Sequence, residues 1–180
     1  MRGFKLIAFS LIFLSFLGCA RTDMLIGEGQ HFPKRPKFSI KPNGDYQNTS
    51  LDFNAIYYNR WEINRSMTGE DIHVYYNYYR FWPNGRVLVN DGGGQMPSRN
   101  KAEDFTNAIV GYYQISGKNL VMEFFVPDSG VMNWDYERVF SVVEKDRIIN
   151  IRAEIRNQKN ELNEEFLKLN LGELTRQPNW

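Results

Sequence analysis

Apolar residues along this chain fall into two regimes. Near the N-terminus they form one run, Leu6 to Leu17, interrupted only by Ser10 and Ser15. From residue 51 they come as short stretches of β-branched and aromatic residues separated by turn signals, the pattern of strands. The stretches predict eight strands: Ala55 to Ile63, Ile72 to Trp82, Arg86 to Asn90, Ile109 to Ile115, Leu120 to Val126, Asn133 to Val143, Ile148 to Ile155 and Glu161 to Leu171. Pro83-Asn84-Gly85 and Ser116-Gly117-Lys118-Asn119 read as tight reversals, because Asn and Gly tolerate the positive φ that hairpin turns need. Alternation is clearest from Arg147 to Ile155, which predicts Ile149, Ile151, Ala153 and Ile155 on one face and Arg152 and Glu154 on the other. The longest stretch is aromatic on both faces, with Tyr75, Tyr79 and Phe81 on one and Tyr76, Tyr78 and Trp82 on the other.

Short hairpin loops cannot make parallel crossovers, so the expectation is an all-β fold, a single antiparallel up-and-down meander. Eight such strands commonly close into a barrel, which removes both sheet edges. The one long interruption is Asp91 to Ala108, expected as a loop at the open end of the barrel. Its second half predicts a short helix over Asn100 to Asn107, with Asn100 as N-cap and Glu103 three residues on.

The N-terminal run has another meaning. Arg2 and Lys5 precede it, and as a helix its length comes to about 18 Å, too short for a hydrocarbon core of about 30 Å. This is the anatomy of a signal peptide over residues 1–18. Phe16-Leu17-Gly18-Cys19 resembles the lipobox of bacterial lipoprotein precursors, and the resemblance implies lipid on Cys19, the only cysteine in the chain. A membrane anchored through that lipid is the first expected partner, and two or more acyl chains make such anchoring durable. Ala20, rather than Asp, follows the cysteine, which favours an outer-membrane location in the cell envelope. Residues 19–50 carry Pro33, Pro36, Pro42, Gly27, Gly29 and Gly44 without a sustained apolar period and read as a flexible tether. Residues 51–172 read as the barrel domain and 173–180 as a C-terminal tail.

Without residues 1–18 the chain has 20 basic against 21 acidic residues, no footprint for nucleic acid. Hydrophobics at 42% and aromatics at 15% indicate a packed chain rather than a disordered one. Chemistry is sparse. The two histidines, His31 and His73, cannot build a histidine-rich metal site within the domain, so no metal and no cofactor is expected. Ser98-Arg99-Asn100-Lys101 matches a Ser-x-x-Lys pattern but lacks the companion motifs of that chemistry. Gly92-Gly93-Gly94 lacks the Lys-Ser/Thr of a phosphate loop. Asp135 and Glu137 share a strand face with Val139, and a solvated face explains them better than acid–base work. No nucleophile–base constellation is present, so no enzymatic activity is expected.

Tyr79-Arg80-Phe81-Trp82-Pro83-Asn84-Gly85-Arg86-Val87 resembles the F-x-x-(Asp/Asn)-Gly-x-V hairpin of bacterial lipocalin-like domain proteins. Gly111 to Leu120 is similar to their G-x-Y-x-I-x-G-x-x-L segment. The resemblance covers roughly residues 51–172 and implies a lipocalin-like barrel around an apolar cavity, often carried by an exported lipoprotein. The expected ligand is a small apolar or amphipathic molecule near the mouth, lined by Tyr79, Phe81, Tyr113, Met122, Phe124 and Arg138. Met122 and Phe124 flank the charged Glu123 and so point inward, and Gly111 beside Tyr113 admits a close approach. Arg138 alternates with Trp134, Tyr136 and Phe140; it would meet an acidic head group if that face lines the barrel, and stacks on the aromatics in solvent if the face points outward, which is the favoured reading. The competing expectation is a filled barrel whose outer aromatic face docks an envelope protein.

Overall fold

The computed structural model describes residues 24–26, 30–33, 36–41, 44, 46, 49–64, 72–127 and 134–180, so the signal peptide expected over residues 1–18 and the expected lipid site at Cys19 lie outside the described residues. Two short strands, β1 (Met24–Ile26) and β2 (Gln30–Phe32), precede eight longer ones. These are β3 (Ala55–Asn64), β4 (Ile72–Phe81), β5 (Arg86–Gly93), β6 (Ile109–Ser116), β7 (Asn119–Pro127), β8 (Trp134–Glu144), β9 (Arg147–Ile155) and β10 (Gln158–Asn170). Each of the eight pairs antiparallel with the next, and β10 returns to β3 with Asn170 opposite Ala55. The expected all-β meander closed into an eight-stranded barrel is therefore the observed fold.

Alternation puts one row of each strand inside. Tyr57, Tyr79, Phe81, Val87, Tyr113, Leu120, Met122, Phe124, Val139, Val143, Ile148 and Phe166 are buried together there. Gly85 (φ 83°) and Gly117 (φ 59°) take the left-handed backbone that the tight turns require. The β9–β10 reversal is tighter than expected, since Arg156 and Asn157 both adopt positive φ and β10 begins at once at Gln158. The face predicted for β9 is corrected by a bulge. The pairing slips between Phe140 and Ser141, so Asn150 lies opposite Ser141 and Arg152 opposite Phe140. Ile148, Asn150 and Ala153 are buried, whereas Ile151 is 45% exposed and Arg152 lies over the Phe140 ring at 4.2 Å.

A second core lies outside the barrel. Ile56, Tyr78, Trp82, Leu88 and Val110 face outward and are covered by Ala102, Phe105 and Ala108 of the long loop and by Leu174 of the tail. The expectation of this loop at the mouth is thus corrected: it folds back over the outer wall. Its one helical turn, α1 (Arg99–Ala102), is capped by Ser98 in place of the expected Asn100 and stops well short of Asn107. Tyr78 donates its hydroxyl to Lys101 O at 2.7 Å, and Asn90 Nδ2 donates to Tyr78 Oη and Asp104 O. Arg80, 1% exposed, donates to the carbonyls of Ala102 and Arg176 at 2.8 Å and lies over Trp82 at 4.7 Å. Trp180 closes the layer, edge-on to Trp82 at 5.4 Å.

The stretch expected to be a tether is, where described, laid on the barrel. β1 and β2 form a hairpin, and β2 joins β6 in parallel at His31 opposite Ile109. Phe38 packs edge-on to Tyr112 and Tyr136, and the buried Glu123 carboxylate accepts the amides of Ser39 (2.6 Å) and Ile40 (2.9 Å) and the Ser39 hydroxyl (3.0 Å). Farther along, Tyr46 N donates to Pro83 O, its ring meets Tyr113 at 5.1 Å, and Leu51 and Phe53 pack beneath the interior core. The reason is burial: single apolar side chains such as Phe38, Ile40, Tyr46 and Leu51, with one clamped carboxylate, hold a strap without any apolar period.

Two outcomes are expected. A Cβ at Gly111 would stand 2.2 Å from Glu123 O and 2.9 Å from Phe124 Cδ1, so Gly111→Ala should lower the unfolding free energy in urea by ~1–3 kcal/mol or more. Glu123→Gln should cost ~1–3 kcal/mol and deprotect the Ser39 and Ile40 amides in hydrogen exchange while β7 stays protected. Unchanged exchange there would show that the clamp does not hold the strap.

Candidate functional site

The barrel is not closed to the same height all round. β3 pairs with β10 only from Ala55–Asn170 to Tyr58–Leu167. Beyond that, among the described residues, Asn59–Asn64 pair with β4 and Gln158–Phe166 with β9, and no strand joins the two. Asn59 Nδ2 donates to Glu165 O at 2.7 Å where the walls part. This end, away from the plug of Tyr46, Leu51 and Phe53, is the mouth.

Tyr79 forms the floor of the mouth, stacked on Phe166 at 4.4 Å and on Phe124 at 5.9 Å. Phe81 lies a layer deeper, against Tyr57 at 5.8 Å and Tyr113 at 5.2 Å, and the Tyr113 hydroxyl donates to Trp82 O at 2.8 Å. Five of the expected lining residues, Tyr79, Phe81, Tyr113, Met122 and Phe124, are therefore brought together inside the barrel. They meet as a packed core, and the group that Gly111 admits is the Phe124 ring. Arg138 is not with them. Glu137 shares the inward row with Val139, so its neighbour Arg138 points out, where its Nε meets Glu123 Oε1 at 3.2 Å and its guanidinium donates to Ser39 Oγ at 2.7 Å. It borders a cleft of about 180 Å³ on the outer wall with Glu123, Tyr136, Glu154, Arg156 and Asn157. Both arginines of that cleft already face carboxylates, Arg138 with Glu123 and Arg156 with Asp135.

Polar groups crowd the mouth above Tyr79. Ser141 Oγ donates to Asn150 Oδ1 at 2.7 Å, and Asn150 Nδ2 donates to Tyr79 Oη at 3.0 Å and Glu164 Oε2 at 3.1 Å. Burial pushes the Tyr79 phenol well above its ordinary range, so this hydroxyl stays protonated and can donate as well as accept. Glu137 faces inward opposite Phe124 and Ile155, and burial first, then the Glu164 charge, raises its carboxyl above the usual carboxylate range. At the rim, Trp61 stacks on Tyr75 at 4.9 Å on positions that continue the inward rows of Tyr57 and Tyr79, and Trp61 is 40% exposed. Reading the sequence passed over Asn150, Glu164 and Trp61. For Glu137 the signal lies in its shared face with Val139, which the structure shows to be the inward face and not the expected solvated one. Among the described residues no three His, Cys, Asp or Glu side chains converge as metal ligands.

The raised Glu137 pKa has a definite sign for stability. Below the ordinary glutamate range both folded and unfolded chains hold the proton. As pH rises the unfolded chain ionises first, and the folded state loses stability until its own higher pKa is passed. Glu137→Gln should therefore unfold at higher urea concentration than the parent chain near pH 7–8, with the difference gone below about pH 4. Equal midpoints at both pH values would contradict the inward placement.

Comparison of the chain with protein-family models, with curated proteins and with solved structures returns no match.

Proposed function

We propose that this is a lipid-anchored protein of the bacterial cell envelope, held through Cys19 at the outer membrane, whose barrel binds a small apolar or amphipathic molecule at its mouth. The observation that carries the reading is the parting of β3 and β10 above the Tyr79 floor. It leaves an opening with an apolar base of Tyr79, Phe124 and Phe166, a polar wall of Asn150, Glu137 and Glu164, and an aromatic rim of Trp61 and Tyr75. A site with an apolar body and a few directed polar groups suits an amphiphile, its apolar part stacked on the rim and floor. Phe81, Tyr113 and Met122 lie deeper and serve as the support of that floor. The binding is non-enzymatic, since the polar groups here are two carboxylates, an amide and phenols without a nucleophile–base pair. A second reading, an envelope interaction protein with a filled barrel, draws on the mutual packing of Tyr79, Phe81, Tyr113 and Phe124.

Two measurements test the proposal. Cys19→Ser should move the protein from the membrane to the soluble fraction after detergent-free lysis, and unchanged partition would remove the anchor. Titration with an environment-sensitive fluorescent fatty acid should saturate, and Trp61→Ala should weaken it at least about fivefold, roughly the loss of one aromatic contact, with little change in melting temperature. Absence of saturable uptake by the parent chain would leave the interaction reading in its place.

A further inference from the structure

The opening between β3 and β10 also has a backbone. Strands paired on one side only present unsatisfied N–H and C=O groups along the other, and such edges accept a further strand. The β10 edge is the more accessible one. Over Gln158–Glu165 seven of the eight residues are exposed, Leu162 being half-buried, so the segment meets solvent on both faces and along its free side. The described N-terminal strands do not cover it, because β2 is seated on β6.

The charges along this edge are unbalanced. Lys159 is engaged by Glu154 at 3.7 Å, Arg60 by Glu62 at 2.5 Å, and Glu165 by Arg147 at 2.7 Å. Glu161 stands opposite Arg152 in the ladder, but that arginine is turned to Glu154 at 3.1 Å and to the Phe140 ring at 4.2 Å. Glu164 receives the Asn150 amide, and it lies close enough across the mouth for its charge to help raise the Glu137 carboxyl, after burial. The three remaining carboxylates make the slot acidic. A second copy of this chain would bring the same acids edge to edge and be repelled, whereas a basic strand would neutralise them.

We propose that an extended peptide segment with basic side chains at alternate positions, supplied by another protein, adds to the free edge of β10 at Gln158–Glu165. Main-chain hydrogen bonds provide the attachment. Basic side chains on the inward face reach Glu164 and Glu137, while those of the other face pass Glu161. The inference is independent of whether the mouth also takes a small molecule.

The test uses the full chain and three synthetic peptides capped at both ends: alternating lysine and valine, alternating glutamate and valine, and the lysine peptide with alternate backbone nitrogens methylated. By calorimetry the lysine peptide should bind one to one, with the glutamate peptide at least about tenfold weaker. The methylated peptide should not bind, because it cannot complete a strand ladder. The double variant Glu161→Gln, Glu164→Gln should weaken the lysine peptide about tenfold. Hydrogen exchange in the complex should slow at Lys159–Glu165, a protection that diffuse charge attraction would not produce. Equal binding of the methylated peptide, no protection on β10, or no binding of the lysine peptide would each overturn the proposal.

Discussion

The last four residues of strand β4, Tyr78 to Phe81, must be buried on both faces. Its inward row places Tyr79 and Phe81 in the barrel core, and its outward row offers Tyr78 and Arg80, with Trp82 just beyond the strand. A barrel alone covers only the first row. The second needs a separate layer, because a guanidinium removed from water must be met by acceptors and each aromatic ring by apolar neighbours. The long loop and the tail supply both. Carbonyls of Ala102 and Arg176 receive Arg80, Glu103 lies 3.7 Å away, and Phe105 and Trp180 close over Trp82. Glu103 in turn accepts the amides of Thr175 and Arg176, so loop and tail are tied to each other as well as to the wall.

This two-sided demand explains which parts of the molecule could be read in the sequence. Period-2 alternation marks a strand whatever it packs against, and so all eight barrel strands were legible within a few residues. Alternation does not say which row faces in. On β8 the row of Glu137 and Val139 is inside, and the aromatic row that made Arg138 attractive is outside, under the strap of Phe38 to Ile40. A bulge erases phase altogether: after the slip at Ser141 and Asn150, the isoleucines of β9 no longer share a face. The strap and the outer layer had no period to show, since they hold on through single residues set among prolines, glycines and polar side chains. Of the mouth, the aromatic floor was visible. The polar wall was not, because Ser141 lies in the row of Glu137 and Val139 that alternation does not orient, and Asn150 and Glu164 lie on strands whose pairing shifts register.

The two ends of the barrel consequently have different characters. At one end three apolar residues of the strap, Tyr46, Leu51 and Phe53, seal the core. At the other, β3 and β4 run on past the point where β10 leaves them, carrying stacked Trp61 and Tyr75 beyond the closed wall. Rigidity and accessibility are thus divided along the barrel axis, the packed half serving as a foundation for the half that meets solvent.

The seam between β3 and β10 also orders the folding reaction. It joins the first and last barrel strands, Ala55 with Asn170, so among the strand pairings of the described residues it is the most distant in sequence and carries the largest loop-closure cost. Every other ladder of the barrel joins strands consecutive in the chain, so the seam has the largest closure cost among them. The folded molecule retains the trace of a zipper that stops partway, where Asn59 turns its amide to the Glu165 carbonyl and the two strands separate.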